Sequence, residues 1–143
     1  MGTFDTFNHT ADLGLSVRGT DLADLLETAA RGLFAVMLVD RPPRVEEERE
    51  VRASAPPGDR EELLVAWLQE LLYLFETAHL VPLEFAFDPP GEGEGEVRAR
   101  VGFGRFDPAG DRAACAVKGV TYHGLRVCRV DDGTWSARLV LDV

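Results

Sequence analysis

Alternating apolar and polar residues near the start of the chain predict two short β-strands. Leu13, Leu15 and Val17 are separated by small or polar residues, which is the pattern of a strand with one buried face. The segment 4–8 before them is predicted as a second strand. Between the two lies the sequence HTAD at 9–12, for which a turn is predicted.

Two longer segments carry apolar residues at helical spacing. In the first, Thr20 is the predicted N-cap, acidic residues occupy the first turn, and the sequence DRPP at 40–43 ends the helix because proline interrupts helical hydrogen bonding. In the second, Asp59 and Glu62 form a start that resembles a capping box. Its broad face of large apolar residues, from Leu63 to Phe75, predicts the central helix of the core.

The remaining segments are predicted as strands. Residues 44–54 are highly charged and alternate poorly, which favours an edge strand. Further alternating segments follow from Leu80 onward, at 83–87, 97–103, 114–120, 125–130 and 135–141, with a hairpin turn at 131–134. Two helices inserted among mostly antiparallel strands predict an α+β fold, with both helices packed on one face of the sheet.

Length and composition indicate one domain spanning residues 1–143. With 143 residues and 45% apolar content, the chain has enough apolar surface for a core without disulfides or structural metals. The two cysteines, Cys115 and Cys128, lack the spacing of a zinc site and are predicted to be free thiols. The sequence shows neither a membrane-length apolar run nor a signal-peptide pattern, so a cytoplasmic protein with no membrane partner is expected.

The net charge of −10 disfavours strong direct nucleic-acid binding by this chain alone and favours a basic partner. The sequence also contains no phosphate-binding loop, no nucleophile elbow of the form GxSxG and no HExxH zinc motif. Self-sufficient nucleotide chemistry is therefore not expected.

Two aspartates near opposite ends of the chain are the strongest candidates for a site. Asp12 closes the HTAD motif, and Asp142 is followed by Val143 at the end of an alternating segment. If the fold brings Asp12 beside Asp142 and a terminal carboxylate, the oxygen atoms form a pocket suited to a hard cation. Taken singly, Asp12 is also consistent with a turn cap, and Asp142 with a solvated strand end.

The histidines offer a second possibility. His9 and His123, together with Asp12, have the residue types of a general-base or zinc site. The alternative is that both histidines form hydrogen bonds with the backbone at strand ends. His79 is predicted at the end of the second helix, where a cation suits the helix dipole. The residues therefore also allow the function of a metal-dependent hydrolase or nuclease, or that of a chaperone-like binding module.

Several blocks of the sequence resemble the archease family. They are HTADLGLSVRG at 9–19, LADLLETAARGLFAVMLVD at 22–40, LLVAWLQELLYLFET at 63–77, AVKGVTYHGLRV at 116–127 and ARLVLDV at 137–143. The resemblance covers essentially the whole chain, and the combination of HTAD, VTYH and a final aspartate before an aliphatic residue is specific. Gly119 and Gly124 depart from the family, which usually has an alanine and an acidic residue there.

The resemblance implies an accessory protein and not an enzyme. Archeases activate the GTP-dependent tRNA-splicing RNA ligase by promoting guanylylation of its active-site histidine and its multiple turnover. The family carries a divalent-metal site, usually assigned to calcium, and its motifs correspond to Asp12, Asp142 and Val143, the last through a main-chain or terminal oxygen. Further residues expected to support the site or face the partner are Asp40, His9, Lys118, Tyr122 and His123.

Overall fold

The computed structural model describes residues 2–9, 12–89, 95–130 and 132–143. Within these residues the chain forms two α-helices and seven β-strands. The helices are α1 (Leu22–Met37) and α2 (Arg60–Ala78). The strands are β1 (Thr3–His9), β2 (Asp12–Gly19), β3 (Glu47–Ser54), β4 (Leu80–Phe87), β5 (Glu96–Arg105), β6 (Gly119–Arg129) and β7 (Trp135–Asp142).

The described strands form two antiparallel sheets, whereas the sequence led us to expect one. Four strands are hydrogen-bonded in the order β1-β2-β7-β6, and three in the order β3-β5-β4. The four-stranded sheet joins the two ends of the chain, and the three-stranded sheet is built from its middle. The α+β class is confirmed, and β3 is an edge strand, as its charged sequence predicts.

Both helices pack against both sheets. α1 contacts β2 of the four-stranded sheet and β4 of the three-stranded sheet, while α2 contacts β6 of the first and β3 and β4 of the second. The prediction that the helices cover one face of a single sheet is therefore wrong. A broad apolar face on α2 can be buried only by neighbours on more than one side, and the second sheet supplies them.

The two helices are joined to each other through Trp67. This side chain of α2 is fully buried, and its indole Nε1 donates to the carbonyl oxygen of Leu26 in α1 at 2.9 Å. Phe34 of α1 is also fully buried. A buried indole with a satisfied N–H fixes the relative position of the helices, because a different packing would leave that donor without a partner.

The helix ends agree with the sequence, with one correction. Asp59 caps α2 and accepts from the backbone N–H of Glu62 at 3.0 Å, as predicted. α1 is capped by Asp21, which accepts from the N–H of Asp24 at 2.7 Å, so the prediction that Thr20 is the cap is wrong by one residue. The side chain of Asp24 in turn accepts from the N–H of Thr20, the residue before the cap, at 2.8 Å.

The strand predicted at 114–120 is also wrong for most of its length. The backbone N–H groups of Ala114 and Cys115 both donate to the carbonyl oxygen of Met37, at 2.8 and 3.2 Å. This segment is thus held by the end of α1 and not by a neighbouring strand. The sheet resumes at Gly119, and β6 continues to Arg129 as one strand with an irregularity between Thr121 and Arg126.

The hairpin between β6 and β7 is confirmed. Val130 donates its N–H to the carbonyl oxygen of Thr134 at 2.8 Å, and Gly133 has a φ of 84°, which a glycine adopts without strain. Cys115 and Cys128 are free thiols, as expected. Neither of the two helices described has the length and apolar composition needed to cross a membrane.

Candidate functional site

The register of the four-stranded sheet brings Asp12 and Asp142 together. β2 and β7 are antiparallel, and Leu13 pairs with Leu141. The next residue on each strand is Asp12 on β2 and Asp142 on β7, so the two aspartates lie opposite each other where the ladder ends. These residues are 130 positions apart in the sequence, and only this strand pairing makes them neighbours.

Both carboxylates belong to the face of the sheet that points away from the helices, which we call the outer face. Leu15, Leu139 and Leu141 are fully buried on the opposite face. Because successive side chains in a strand alternate between faces, Asp12 and Asp142 point outward. Asp142 is exposed and Asp12 is half-buried. Their negative charges are therefore accessible to solvent, to a cation or to a partner.

Neighbouring strands end at the same edge. His9 of β1 pairs with Asp12, although the position of its side chain lies outside the described part of the structure. On the other side, Gly119 of β6 pairs with Asp142, and the N–H of Lys118 donates to the carbonyl oxygen of Asp142 at 2.7 Å. We call Asp12, Asp142, Val143 and Lys118 the acidic edge.

The acidic edge has the donor chemistry of a site for a hard cation. Its two carboxylates supply oxygen atoms only, which suits calcium or magnesium better than a thiophilic metal. Within the described part of the chain, no group of three or more His, Cys, Asp or Glu side chains lies close enough to hold a metal ion. Val143, next to Asp142, has a main-chain oxygen that suits such a cation as a further ligand. The assignment of Asp12, Asp142 and Val143 as ligands stays a prediction.

Asp40 has a different local role. Its carboxylate accepts from the backbone N–H of Arg112 at 2.7 Å and from Nε and Nη2 of the same guanidinium at 3.0 and 3.1 Å. These hydrogen bonds hold the pKa of Asp40 below its ordinary value. The pair fastens the segment that leads to Lys118 against the end of α1. The sequence offered no signal for this arginine, which lies 72 residues from its partner.

Tyr122 is anchored to the start of α2. Its hydroxyl donates to the carboxylate of Glu62, with oxygen distances of 3.0 and 3.1 Å, and this hydrogen bond raises the pKa of the tyrosine. Glu61 makes a parallel connection by accepting from the N–H of Val127 at 2.7 Å. β6 is thereby tied to α2 within its irregular part and just beyond it, and neither contact could be anticipated from residue spacing.

His123 does not join the acidic edge. It lies in the irregular part of β6, beyond Thr121, the last residue in the register that begins with Gly119 opposite Asp142. β7 also separates β6 from β2, the strand that carries Asp12. The combination of His9, Asp12 and His123 considered for a hydrolase is therefore not assembled around Asp12.

Comparison with known proteins gives one consistent result. The model of the Archease protein family matches residues 4–143. "Protein archease" of Pyrococcus furiosus is 33% identical over 144 residues, covering 100% of both chains, and "Protein archease" of Methanopyrus kandleri is 35% identical over 141 residues, covering 98% of this chain and 99% of that one. The solution structure of Methanobacterium thermoautotrophicum protein 1598 superimposes with a TM-score of 0.80 at 31% identity and covers 98% of each chain.

Proposed function

Because the chain belongs to the archease family, we propose that it is an accessory activator of the tRNA-splicing RNA ligase. In this role it promotes guanylylation of the ligase and its repeated turnover, and it does not catalyse RNA joining itself. Its place of action is the cytoplasm.

The observation that carries the proposal is the acidic edge. The HTAD motif and the final aspartate, which resemble the family's metal-site motifs, lie next to each other only because β2 pairs with β7. Their carboxylates are on an exposed face, where a basic partner reaches them without unfolding any part of the chain. The net charge of −10 favours association with a basic protein such as an RNA-binding ligase.

A divalent cation, with calcium the best suited, is part of the proposal. Asp12, Asp142 and an oxygen of Val143 would hold it, with water completing the coordination that calcium tolerates. When bound, the cation neutralises the repulsion between the two carboxylates and fixes their orientation. The residues themselves present an ordered, charged surface at one end of the sheet, and that surface is what the partner contacts.

The decisive experiment measures the ligase in the presence and absence of this protein. Single-turnover guanylylation and multiple-turnover joining of RNA ends are followed with the wild type, with Asp12→Ala and with Asp142→Ala. Glu84→Ala is the matched control, because Glu84 is an exposed acidic residue on β4 of the other sheet. We expect the wild type and Glu84→Ala to accelerate both reactions and the two acidic-edge variants to lose that effect.

The competing functions predict other results. A metal-dependent hydrolase turns over its substrate without the ligase, so metal-dependent RNA cleavage by the isolated protein that is lost in Asp12→Ala would replace our proposal. A chaperone-like module suppresses aggregation of unrelated proteins to the same extent whether or not Asp12 and Asp142 are present. If the protein accelerates neither guanylylation nor RNA joining by the ligase at any ratio of the two proteins, the activator proposal is wrong.

A further inference from the structure

Beside the acidic edge, the exposed side of α2 and the chain leading into β6 form a continuous surface, which we call the α2–β6 seam. It consists of Glu62, Gln69, Tyr73 and Glu76 of α2 together with residues 115–122. We propose that this seam is where the RNA ligase docks, through a basic segment that carries an apolar side chain. The inference rests on the proposed function and goes further by naming the surface and the chemistry it recognises.

The α2 residues of the seam share one side of the helix. Positions 62, 69, 73 and 76 are separated by seven, four and three residues, which places them on one stripe. At one end Tyr122 is hydrogen-bonded to Glu62. In the middle Gly119 lies against Gln69, since a Cβ atom on that glycine would come within 3.3 Å of the side-chain amide nitrogen. The helix and the β6 segment thus stay adjacent along the whole seam.

Two aromatic side chains stand out from this surface. Tyr73 is 59% exposed and Tyr122 is 61% exposed, and both belong to the small set of large apolar or aromatic side chains that the described chain leaves open to solvent. Tyrosine is enriched at protein interfaces because it combines a large apolar ring with a hydroxyl that forms hydrogen bonds. The bond to Glu62 holds the ring of Tyr122 in place before a partner binds, which lowers the entropy lost on binding.

At the other end of the seam lies a mainly apolar cavity of about 280 Å³. Glu76 and His79 line it from α2, and Cys115, Ala116 and Val117 line it from the segment before β6. Phe75 and Phe106 are among the further lining residues. This volume accommodates one large aliphatic or aromatic side chain, and the acidic Glu76 at its wall favours an anchor flanked by lysine or arginine.

The charge of the seam identifies the kind of partner. Glu62 and Glu76, the two glutamates of the seam, form no ion pair with another of the described residues. By contrast, carboxylates on β3 and β5 are balanced by neighbouring arginines. The seam also contains one basic side chain, Lys118, so its two carboxylates leave an excess of negative charge, and a basic surface complements that excess.

The seam and the acidic edge adjoin each other where β6 begins. Lys118 belongs to both, and the segment that contains it bonds to Asp142 on one side and lies against α2 on the other. A ligase segment seated in the seam would therefore hold the partner next to Asp142. Docking and activation are separate functions of adjacent residues, so they are separable by mutation.

The test measures the dissociation constant of the complex with the ligase and, in parallel, stimulation of guanylylation. Ala116→Trp fills the mouth of the cavity, Glu76→Lys reverses a charge at its wall, and Tyr122→Ala removes an anchor. Glu84→Lys makes the same charge change on the other sheet, and Tyr122→Phe keeps the ring but loses the bond to Glu62. We expect the three seam variants to bind about tenfold or more weakly and Glu84→Lys to bind nearly as the wild type does. Tyr122→Phe should bind with an intermediate affinity, because its ring is no longer held in place before binding.

The possible results separate this inference from the proposed function. If the seam variants bind and stimulate the ligase like the wild type while Asp142→Ala fails to stimulate it, the seam is not the docking surface. The activator proposal is unaffected by that result. If Glu84→Lys and Glu76→Lys weaken binding of the ligase equally, the effect is due to overall charge, and the proposal that the seam is the docking surface is also wrong. A wild type that neither binds nor stimulates the ligase overturns both. Thermal unfolding of each variant verifies that it is folded.

Discussion

Phe7 lies across Gly14 on the outer face of the four-stranded sheet. A Cβ atom at Gly14 would overlap the ring, so only glycine allows this contact. The guanidinium of Arg138 in turn lies 3.7 Å from the ring centroid, in a cation–π contact. These side chains cover Val140, which is 3% exposed although it points away from the helices. The lack of a side chain at Gly14 thus allows Phe7 to pack on the surface next to the acidic edge.

Replacing Gly14 with alanine is expected to destabilise the protein by about 1–3 kcal/mol, the usual range for an overpacked site. The added methyl group must displace Phe7 and disturb the contact with Arg138. Chemical denaturation of the wild type and Gly14→Ala measures the difference in unfolding free energy. The double variant Gly14→Ala with Phe7→Ala removes the obstructing ring, so the effect of the methyl group should largely disappear in that background. An unchanged stability of Gly14→Ala would contradict the packing described here.

The pair formed by Asp40 and Arg112 predicts a dependence of stability on pH. Hydrogen bonds from Arg112 lower the pKa of Asp40 below 3.8 in the folded protein. A carboxyl group with a lowered folded-state pKa stabilises the fold above its unfolded pKa, and this contribution is lost as pH falls through the folded value. We expect Asp40→Asn to lower the Tm at pH 7 and the difference from the wild type to shrink as pH falls below 3.8. If the difference in Tm between Asp40→Asn and the wild type stays constant across the pH titration, the ionised carboxylate of Asp40 is not the source of the stabilisation.

At the scale of elements, local signals were sufficient where a segment's neighbours in sequence decide its structure. The cap of α2 by Asp59 and the edge position of β3 follow from side chains within a few residues. The non-strand conformation of Ala114 and Cys115 could not be predicted from nearby residues, because both N–H groups donate to the carbonyl oxygen of Met37, which is remote in the sequence. Likewise, one alternating pattern is compatible with one sheet or with two, and only the packing of the helices decides between them.

The start of α1 provides a test at this scale. Because Asp21 accepts the N–H of Asp24, Asp21→Ala should cost about 1 kcal/mol of stability, as is typical for the loss of an N-cap. Thr20→Val keeps that bond and loses only the 3.2 Å contact between the Thr20 hydroxyl and Asp24, so a smaller effect is expected. Equilibrium denaturation of both variants ranks the two residues. A larger loss from Thr20→Val would restore Thr20 as the cap.

At the scale of the whole molecule, the strands of neither sheet carry the excess of negative charge, because acidic and basic side chains nearly balance within each sheet. Five of the ion pairs among the described residues lie on β3 and β5, where glutamates alternate with arginines. Such exposed pairs add little stability, but they balance the charge of that sheet. Much of the net charge of −10 is therefore carried by α2 and by the segments that connect the helices and strands. The total charge was visible in the sequence, whereas the balance of charge between β3 and β5 depends on the pairing of these strands.

The sequence predicted which residues form the acidic edge, but it could not show that they lie next to each other. Asp12 and Asp142 were selected by motif, and their adjacency follows from the pairing of β2 with β7. The contacts of Arg112 with Asp40, of Glu62 with Tyr122 and of Gln69 with Gly119 were not predicted, because each joins residues far apart in the sequence. A site formed from both ends of a chain also links function to global stability, since any cation held there joins the first strands to the last.

This link gives the final prediction. A calcium ion bound by Asp12 and Asp142 stabilises the folded state by RT ln(1 + [Ca²⁺]/Kd), which is about 2.7 kcal/mol at a hundredfold excess over Kd. The Tm should therefore rise with calcium concentration in the wild type and in Glu84→Gln. It should stay constant in Asp142→Asn, which keeps the shape of the side chain but removes a charged ligand. The measurement is a thermal denaturation series in calcium after exhaustive chelation, with magnesium and potassium as ionic controls. Since no ligase is present, an equal rise in Asp142→Asn would place the cation elsewhere without affecting the proposed partnership.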